Sequence, residues 1–325
     1  MTIRLPPPLD EWADYRGSTP RPEGFDAYWT GALAELDDTP PEPSREPAEF
    51  ALPGVRFEHL WFTGVGGARV HAKLARPADP TDRSVPVVHF HGYRFRSPDW
   101  TELLPWTACG ATVVALDCRG QAGLSEDVGP LGVDTARGHL VRGLADGPRS
   151  LLYRSVFLDA VRLARLAAEL PGVDPARLAT HGGSQGGGLA LACAALEPRV
   201  RRVAAFYPFL CDYKGVWETG EIDDSAYAEI RAFFEARDPR HQRADEWWTR
   251  LGFIDVIHLC PRIGGEVLLG VSGRDPTTPP RTQMAAWNAL QCEKRLLAWP
   301  DYGHSALHGW GDEATPFLVG HHAPA

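Results

Sequence analysis

Six short apolar runs alternate along this chain with longer helix-forming stretches, and that rhythm restricts the fold more than any other feature. The runs are VPVVHF (85–90), TVVALD (112–117), RLATH (177–181), RVAAFY (202–207), EVLLGV (266–271) and KRLLAW (294–299). Helix candidates lie around 101–108, 151–170, 184–197 and 279–291. Strands alternating with helices predict an α/β protein with a mostly parallel, doubly wound sheet covered on both faces. The strongest helix is LLYRSVFLDAVRLARLAAEL, whose apolar residues recur at i, i+3, i+4 and i+7.

The 325 residues, 44% hydrophobic and 23% charged, suffice for one large α/β domain with a sizeable core, and we read 1–325 as that domain. Residues 1–50 are proline-rich and read as an arm; within it FDAYWTGALAEL (25–36) puts Phe25, Tyr28, Trp29, Leu33 and Leu36 on one stripe. Two β runs, VRFEHLWFT and ARVHAKLAR, follow around Gly64-Val65-Gly66-Gly67, a hairpin signal. Residues 120–150 form a glycine-rich, irregular loop of the kind that covers a site or an interface. Residues 212–253, with Trp217, Tyr227, Phe233, Phe234, Trp247, Trp248 and Phe253, read as a helical cap or as an ordinary helical excursion with a buried aromatic face.

A formal net charge of −9 gives no basic face for nucleic acid or an anionic membrane. The start MTIRLPPPLDEWADYRG has prolines and acids where a signal peptide needs an apolar core, so a cytoplasmic protein is expected. The longest apolar stretches, such as LALACAAL, are too short to span a bilayer. The six cysteines show no C-x-x-C spacing and read as reduced, mostly buried thiols.

The segment HGGSQGGG (181–188) joins a β run to a helical run and crowds five glycines around Ser184. No lysine follows as in a Walker loop, and the dinucleotide pattern G-x-G-x-x-G fails. What fits is G-x-S-x-G, Gly182 to Gly186, as a nucleophile elbow: a serine on a tight strand-to-helix turn whose flanking positions have no room for a side chain. The following helix directs its positive end towards developing negative charge.

An elbow predicts an acid and then a histidine downstream. Asp275 lies in SGRDPTTPP beyond the EVLLGV run, and His304 in PDYGHSALHGW beyond KRLLAW. Ser184 would attack, His304 would carry the proton and Asp275 would orient the imidazole. Oxyanion donors are expected from the backbone N–H groups of Gln185 and of Tyr93 in HFHGYRF. Asp301 is too local to His304 to take the acid's place, His181 and His308 read as structural, and Asp255 as a helix cap. For His89 and His91 core packing is expected, and no metal site, because no third ligand has a sensible spacing. The terminal His321-His322 pair reads as a solvated tail.

Arg119-Gly120-Gln121, the GGSQG turn, and His304 after Tyr302-Gly303 together resemble the acetyl xylan esterase and cephalosporin C deacetylase family, carbohydrate esterase family 7 of the α/β-hydrolase superfamily. LDEWADYRGSTPRPEGFDAYW, HFHGY, YRSVFLDAVR, GGSQGGGLALA, FYPFL and DPTTPP resemble that family's segments in the same order. The resemblance implies an α/β-hydrolase fold and a cofactor-free serine esterase acting on small acetylated sugars, with some members also deacetylating cephalosporins. It implies a homo-oligomer, a hexamer built as a trimer of dimers, with 120–150 as the interface segment. It carries the catalytic roles onto Ser184, Asp275 and His304 and the oxyanion roles onto Tyr93 and Gln185. One departure is visible: the family's His-Glu ending is His304-Ser305 here.

A shallow acyl pocket near Tyr93 and Pro208 would admit acetyl and reject longer chains, each misfit methylene costing about 1–3 kcal/mol. Two other readings stay open on residues alone: a same-fold hydrolase of a peptide or lactone, and a non-catalytic ligand-binding protein of this fold.

Overall fold

The order of strands in the sheet explains where a site can form. In the computed structural model, which describes residues 6–79, 83–128, 139–220, 222 and 225–320, these strands are β1 (Ser44–Pro47), β2 (Val55–Thr63), β3 (Arg69–Pro77), β4 (Pro86–Phe90), β5 (Thr112–Leu116), β6 (Ala179–Gly183), β7 (Arg202–Phe206), β8 (Glu266–Ser272) and β9 (Lys294–Trp299). They lie in the order β1-β2-β3-β5-β4-β6-β7-β8-β9. The first three pair antiparallel, β3 joins β5 antiparallel, and β4 to β9 run parallel. This is the α/β-hydrolase arrangement. From β4 the chain steps aside to β5 and returns on the other flank as β6, so the loops leaving β4 and β6 diverge at a crevice.

The helices are α1 (Phe25–Asp38), α2 (Leu104–Ala108), α3 (Leu152–Ala168), α4 (Gln185–Leu196), α5 (Tyr213–Thr219), α6 (Ala228–Arg237), α7 (Ala244–Gly252), α8 (Val256–Leu259), α9 (Pro280–Ala289) and α10 (Trp310–Val319). Strand residues alternate between two cores. Val88, Phe90, Val203, Ala205, Val267 and Leu269 face α1, α3, α4, α8 and α9. Val87, Val113, Ala204 and Leu268 face Trp106 of α2 and Trp310 and Phe317 of α10. Both faces of β4 to β8 are thus buried, which accounts for their near-continuous apolar runs, while the edge strand β9 is only partly covered.

The strongest sequence helix, α3, is buried almost all round, polar residues included. Each of those residues has a partner: Asp159 pairs with Arg119, Arg154 with Glu35 of α1, and Arg162 donates to the carbonyls of Leu36 and Thr39. On α1, Phe25, Trp29, Ala32 and Leu36 are buried, with Tyr28 and Leu33 packed beside them. All six cysteines are unpaired and four are buried, Cys109 being the exposed one. Among the described residues no helix is long and apolar enough to cross a membrane.

Three local features differ from the sequence reading. The RLATH strand begins two residues later, because Pro175-Ala176-Arg177 forms a 3-10 turn capped by the Asp174 side chain. β1, with sequence SREP, has no apolar alternation; it pairs along the edge of β2. α10 carries Pro316 in its interior, which hid it from a periodicity search. Asp255 is the cap the sequence suggested, its carboxylate accepting the Ile257 N–H at 3.1 Å. His321 and His322 lie outside the described residues.

Candidate active site

β6 ends at Gly183 and α4 starts at Gln185, so Ser184 is the whole turn. Its backbone sits at φ 55°, ψ −122°, a region a non-glycine residue adopts only when its surroundings hold it there. The flanking glycines supply room. A Cβ on Gly182 would lie 2.4 Å from the carbonyl carbon of Gly186, and one on Gly186 would lie 2.1 Å from the carbonyl oxygen of Phe90. None of the five glycines has a positive φ; the strain is carried by the serine alone. The turn is locked from below by the Ser184 N–H to the Phe206 carbonyl at 3.1 Å and the Phe209 N–H to the Ser184 carbonyl at 2.9 Å.

Asp275 follows β8 and His304 follows β9, two neighbouring parallel strands that deliver both residues to the same edge. His304 Nδ1–H donates to Asp275 Oδ2 at 2.8 Å. Oδ2 also accepts from the hydroxyls of Ser272 (3.1 Å) and Thr278 (2.9 Å), while Oδ1 accepts the N–H groups of Thr277 (2.8 Å) and Thr278 (2.9 Å). Burial alone would raise the Asp275 carboxyl, but His304 and those N–H donors outweigh it and hold the group below its ordinary range. The Asp275 side chain is fully buried, whereas that of His304 is 26% exposed, open to a reactant. Asp301 instead faces Arg274 at 3.3 Å, well exposed. Ser305 is exposed, and its N–H bonds to the Gly303 carbonyl at 3.0 Å.

Ser184 and His304 line one cleft of about 510 Å³, together with Tyr93, Gly92, Phe206 and Tyr207. The N–H groups of Tyr93 and Gln185 have no acceptor among the described residues. As the first residue of α4, Gln185 has an N–H that no helical carbonyl can take. Pro208 is buried beneath α4, 3.2 Å from where a Gly187 Cβ would be, and does not line the cleft; its neighbour Tyr207 does. Tyr207 is held at φ 33° with its ring 4.6 Å from that of His304, and burial followed by the nearby Asp275 charge pushes its phenol up to about 12.

The Arg119-Gly120-Gln121 segment supports both loops. Arg119 is anchored in the core by a two-pronged ion pair with Asp159 of α3, at 2.6 and 2.5 Å. Gln121 then bridges the two sides of the crevice: its Oε1 accepts the Arg94 N–H at 2.8 Å and its Nε2 donates to Gln185 Oε1 at 2.8 Å. Gln185 Oε1 also accepts the Tyr153 hydroxyl at 2.7 Å.

The sequence is matched by the family model described as acetyl xylan esterase (AXE1) over residues 3–321. The chain belongs to the acetyl xylan esterase family. Members of that family are carboxylic ester hydrolases, and two solved structures agree with the assignment. Acetyl xylan esterase 1 from Thermoanaerobacterium sp. JW/SL YS485 is 44% identical, covering 97% of this chain and 99% of that one, with a TM-score of 0.94. The acetyl xylan esterase from Paenibacillus sp. R4 is 30% identical over 96% of this chain and 98% of that one, with a TM-score of 0.91. The acetyl esterase Axe7A of Xylanibacter ruminicola is 28% identical over 53% of this chain, a match that spans 37% of that longer protein.

One member of the site left no mark in the sequence. Glu229 of α6, buried, accepts hydrogen bonds from the Tyr93 hydroxyl, from Arg94 (2.8 Å) and from the Leu140 N–H (2.9 Å). It stands 136 residues from Tyr93, and only the folded helix brings them together. Burial raises its carboxyl, against the opposing hydrogen bonds and the Arg94 charge.

Proposed function

We propose that this esterase removes acetyl groups from small acetylated carbohydrates through an acyl-enzyme, without a cofactor. Ser184 attacks the ester carbonyl, His304 takes its proton and returns it to the departing alcohol, and Asp275 holds the imidazole with Nδ1 protonated. The N–H groups of Gln185 and Tyr93 receive the oxyanion. The observation that carries this reading is the conjunction of a strained Ser184 with a hydrogen-bonded His304–Asp275 pair along one cleft. The acetyl substrate is supported by the likeness to the two acetyl xylan esterases, 44% and 30% identical to this chain.

Residues 212–253 act as the cap in this scheme. Ser225 and Ala226 of that segment line the cleft, and Glu229 grips the Tyr93 loop. The 120–150 segment, of which 129–138 lie outside the described residues, is read as an interface between subunits of a homo-oligomer, with Leu124 and Val128 exposed in its described part. A hexamer would elute at about six times the 35.6 kDa chain in light scattering, and a clean monomer would remove this part of the reading.

The test is hydrolysis of p-nitrophenyl acetate, butyrate and octanoate by wild type and by Ser184→Ala. A preference for acetate over butyrate of tenfold or more, abolished by the substitution, is expected. Activity flat from acetate to octanoate would remove the small acyl pocket, and activity surviving in Ser184→Ala would remove the nucleophile.

A further inference from the structure

His89 of β4 and His181 of β6 stand opposite each other in the parallel register, on the sheet face that carries α2 and α10. Their rings stack at 5.1 Å with the two Nδ1 atoms 3.0 Å apart, and Trp310 of α10 places its indole Nε1 3.2 Å from His181 Nε2. An indole N–H can only donate, so His181 Nε2 is the acceptor and carries no proton. A neutral His181 then has its proton on Nδ1, and His89 Nδ1 must accept it. The one proton left to His89 is on Nε2. A charge on either ring would set N–H against N–H in one of these contacts, and burial, the largest influence on both, depresses their protonation, His89 to about 4.

His89 lines the same cleft as Ser184 and His304, and its Nε2 has no acceptor among the described residues. Three residues separate the His181 level from Ser184, roughly 10 Å of strand rise, so the backbone that carries this donor is set back from the turn that carries the Gln185 N–H. An acetyl group offers only its carbonyl oxygen, and that oxygen belongs in the oxyanion hole. A fixed neutral donor elsewhere in the cleft therefore serves the alcohol half of the ester.

We propose that the Nε2–H of His89 recognises an oxygen of the departing polyol, a ring oxygen or hydroxyl of a sugar, and so favours carbohydrate acetates over esters of plain aryl alcohols. His181 and Trp310 are positioning residues that fix the tautomer. The proposal rests on the esterase reading of the cleft.

The test compares a fully acetylated pentose, xylose tetraacetate, with phenyl acetate, whose leaving group offers no oxygen beyond the ester itself. His89→Asn keeps an acceptor where Nδ1 stands, so the half-buried His181 retains its partner, but leaves nothing at the Nε2 position. His89→Gln puts an amide nitrogen near that position. In His89→Asn the ratio of kcat/KM for the pentose acetate to that for phenyl acetate falls about tenfold, mostly through KM, and His89→Gln recovers part of it. Histidine nitrogen NMR of the wild type shows His89 as the neutral Nε2–H form, and Trp310→Phe mixes the tautomers. An unchanged ratio, or an Nδ1–H or charged His89 at neutral pH, overturns the proposal. If the wild type hydrolyses neither ester, the esterase reading has failed, and this proposal falls with it for that separate reason.

Discussion

Asp275→Asn removes one charge and adds two protons at a single atom, and the structure dictates where they go. Oδ1 of Asp275 is held by two backbone N–H donors, from Thr277 and Thr278, so only the carbonyl oxygen of the introduced amide fits there. Its NH2 group must then occupy the Oδ2 position, 2.8 Å from His304 Nδ1. An N–H facing Nδ1 forces the histidine into the opposite tautomer, with its proton on Nε2. Such an imidazole cannot accept the serine proton. The loss expected is about 10⁴ in kcat, or roughly 5 kcal/mol of transition-state stabilisation, with KM changed little. Asp275→Ala leaves the imidazole free to choose its tautomer and is expected to be no worse than the amide. The assay is steady-state hydrolysis of p-nitrophenyl acetate by protein whose circular dichroism matches wild type. Asp275→Asn retaining kcat within tenfold, or clearly outperforming Asp275→Ala, would refute the tautomer reasoning.

Glu229→Ala frees the Tyr93 hydroxyl and leaves the Leu140 N–H without its acceptor; since losing a whole oxyanion donor costs about 3 kcal/mol, a partial loss of 10- to 100-fold in kcat at near-constant KM is expected, and a change confined to KM would contradict the clamp. Arg119→Met strands a buried Asp159 and should cost about 3–5 kcal/mol in chemical denaturation, while Arg119→Met combined with Asp159→Leu recovers most of it; equal losses in both would show that the pair matters for something other than its charge. His89 and His258, both depressed to about 4 chiefly by burial, contribute stability that is complete above their ordinary value of 6.5 and is lost as pH falls towards 4. Asp255, pushed up to about 7 by burial and then by Asp212, acts in the opposite sense across the same window, as do the raised carboxyls of Asp159 and Glu229, but burial depresses His91, His139 and His181 as well, and the histidines together leave a net loss on acidification. Urea unfolding at pH 7.5, 5.5 and 4.5 checks the sign, and stability rising towards pH 4.5 would contradict it.

The parts of the fold written in local pattern were legible. Five of the six apolar runs became strands within a residue of where the sequence put them; four of them are central strands, which carry their signal in nearly every residue, and the fifth is the edge strand β9. Ser184 was visible for a different reason: its glycines mark a close approach of backbones that no other residue permits. Asp275 and His304 followed from the rule that parallel strands present their functional residues at one edge, and the structure brings them into hydrogen-bond contact. What stayed hidden depends on geometry across distant segments. β1 has no apolar face to announce it and is held by edge pairing alone. Pro208 looked like a cleft residue by position, but it lies buried against α4, and its neighbour Tyr207 is the one that lines the cleft. His89 read as a core-packing histidine and His181 as a structural one; their pairing follows from the register between β4 and β6, which neither sequence run encodes by itself. Gln121 lay within a motif the sequence did single out, yet its bridging of the Tyr93 loop and Gln185 emerges only once the strand order is known.

The central claim is that Ser184 is an activated nucleophile at this turn. Its most direct test is treatment of the folded protein with a fluorophosphonate, followed by intact mass and peptide mapping. The account predicts one adduct per chain, on Ser184, formed rapidly in wild type and at least a hundredfold more slowly in His304→Ala. No adduct on folded wild-type protein, or one on a different serine, would contradict it.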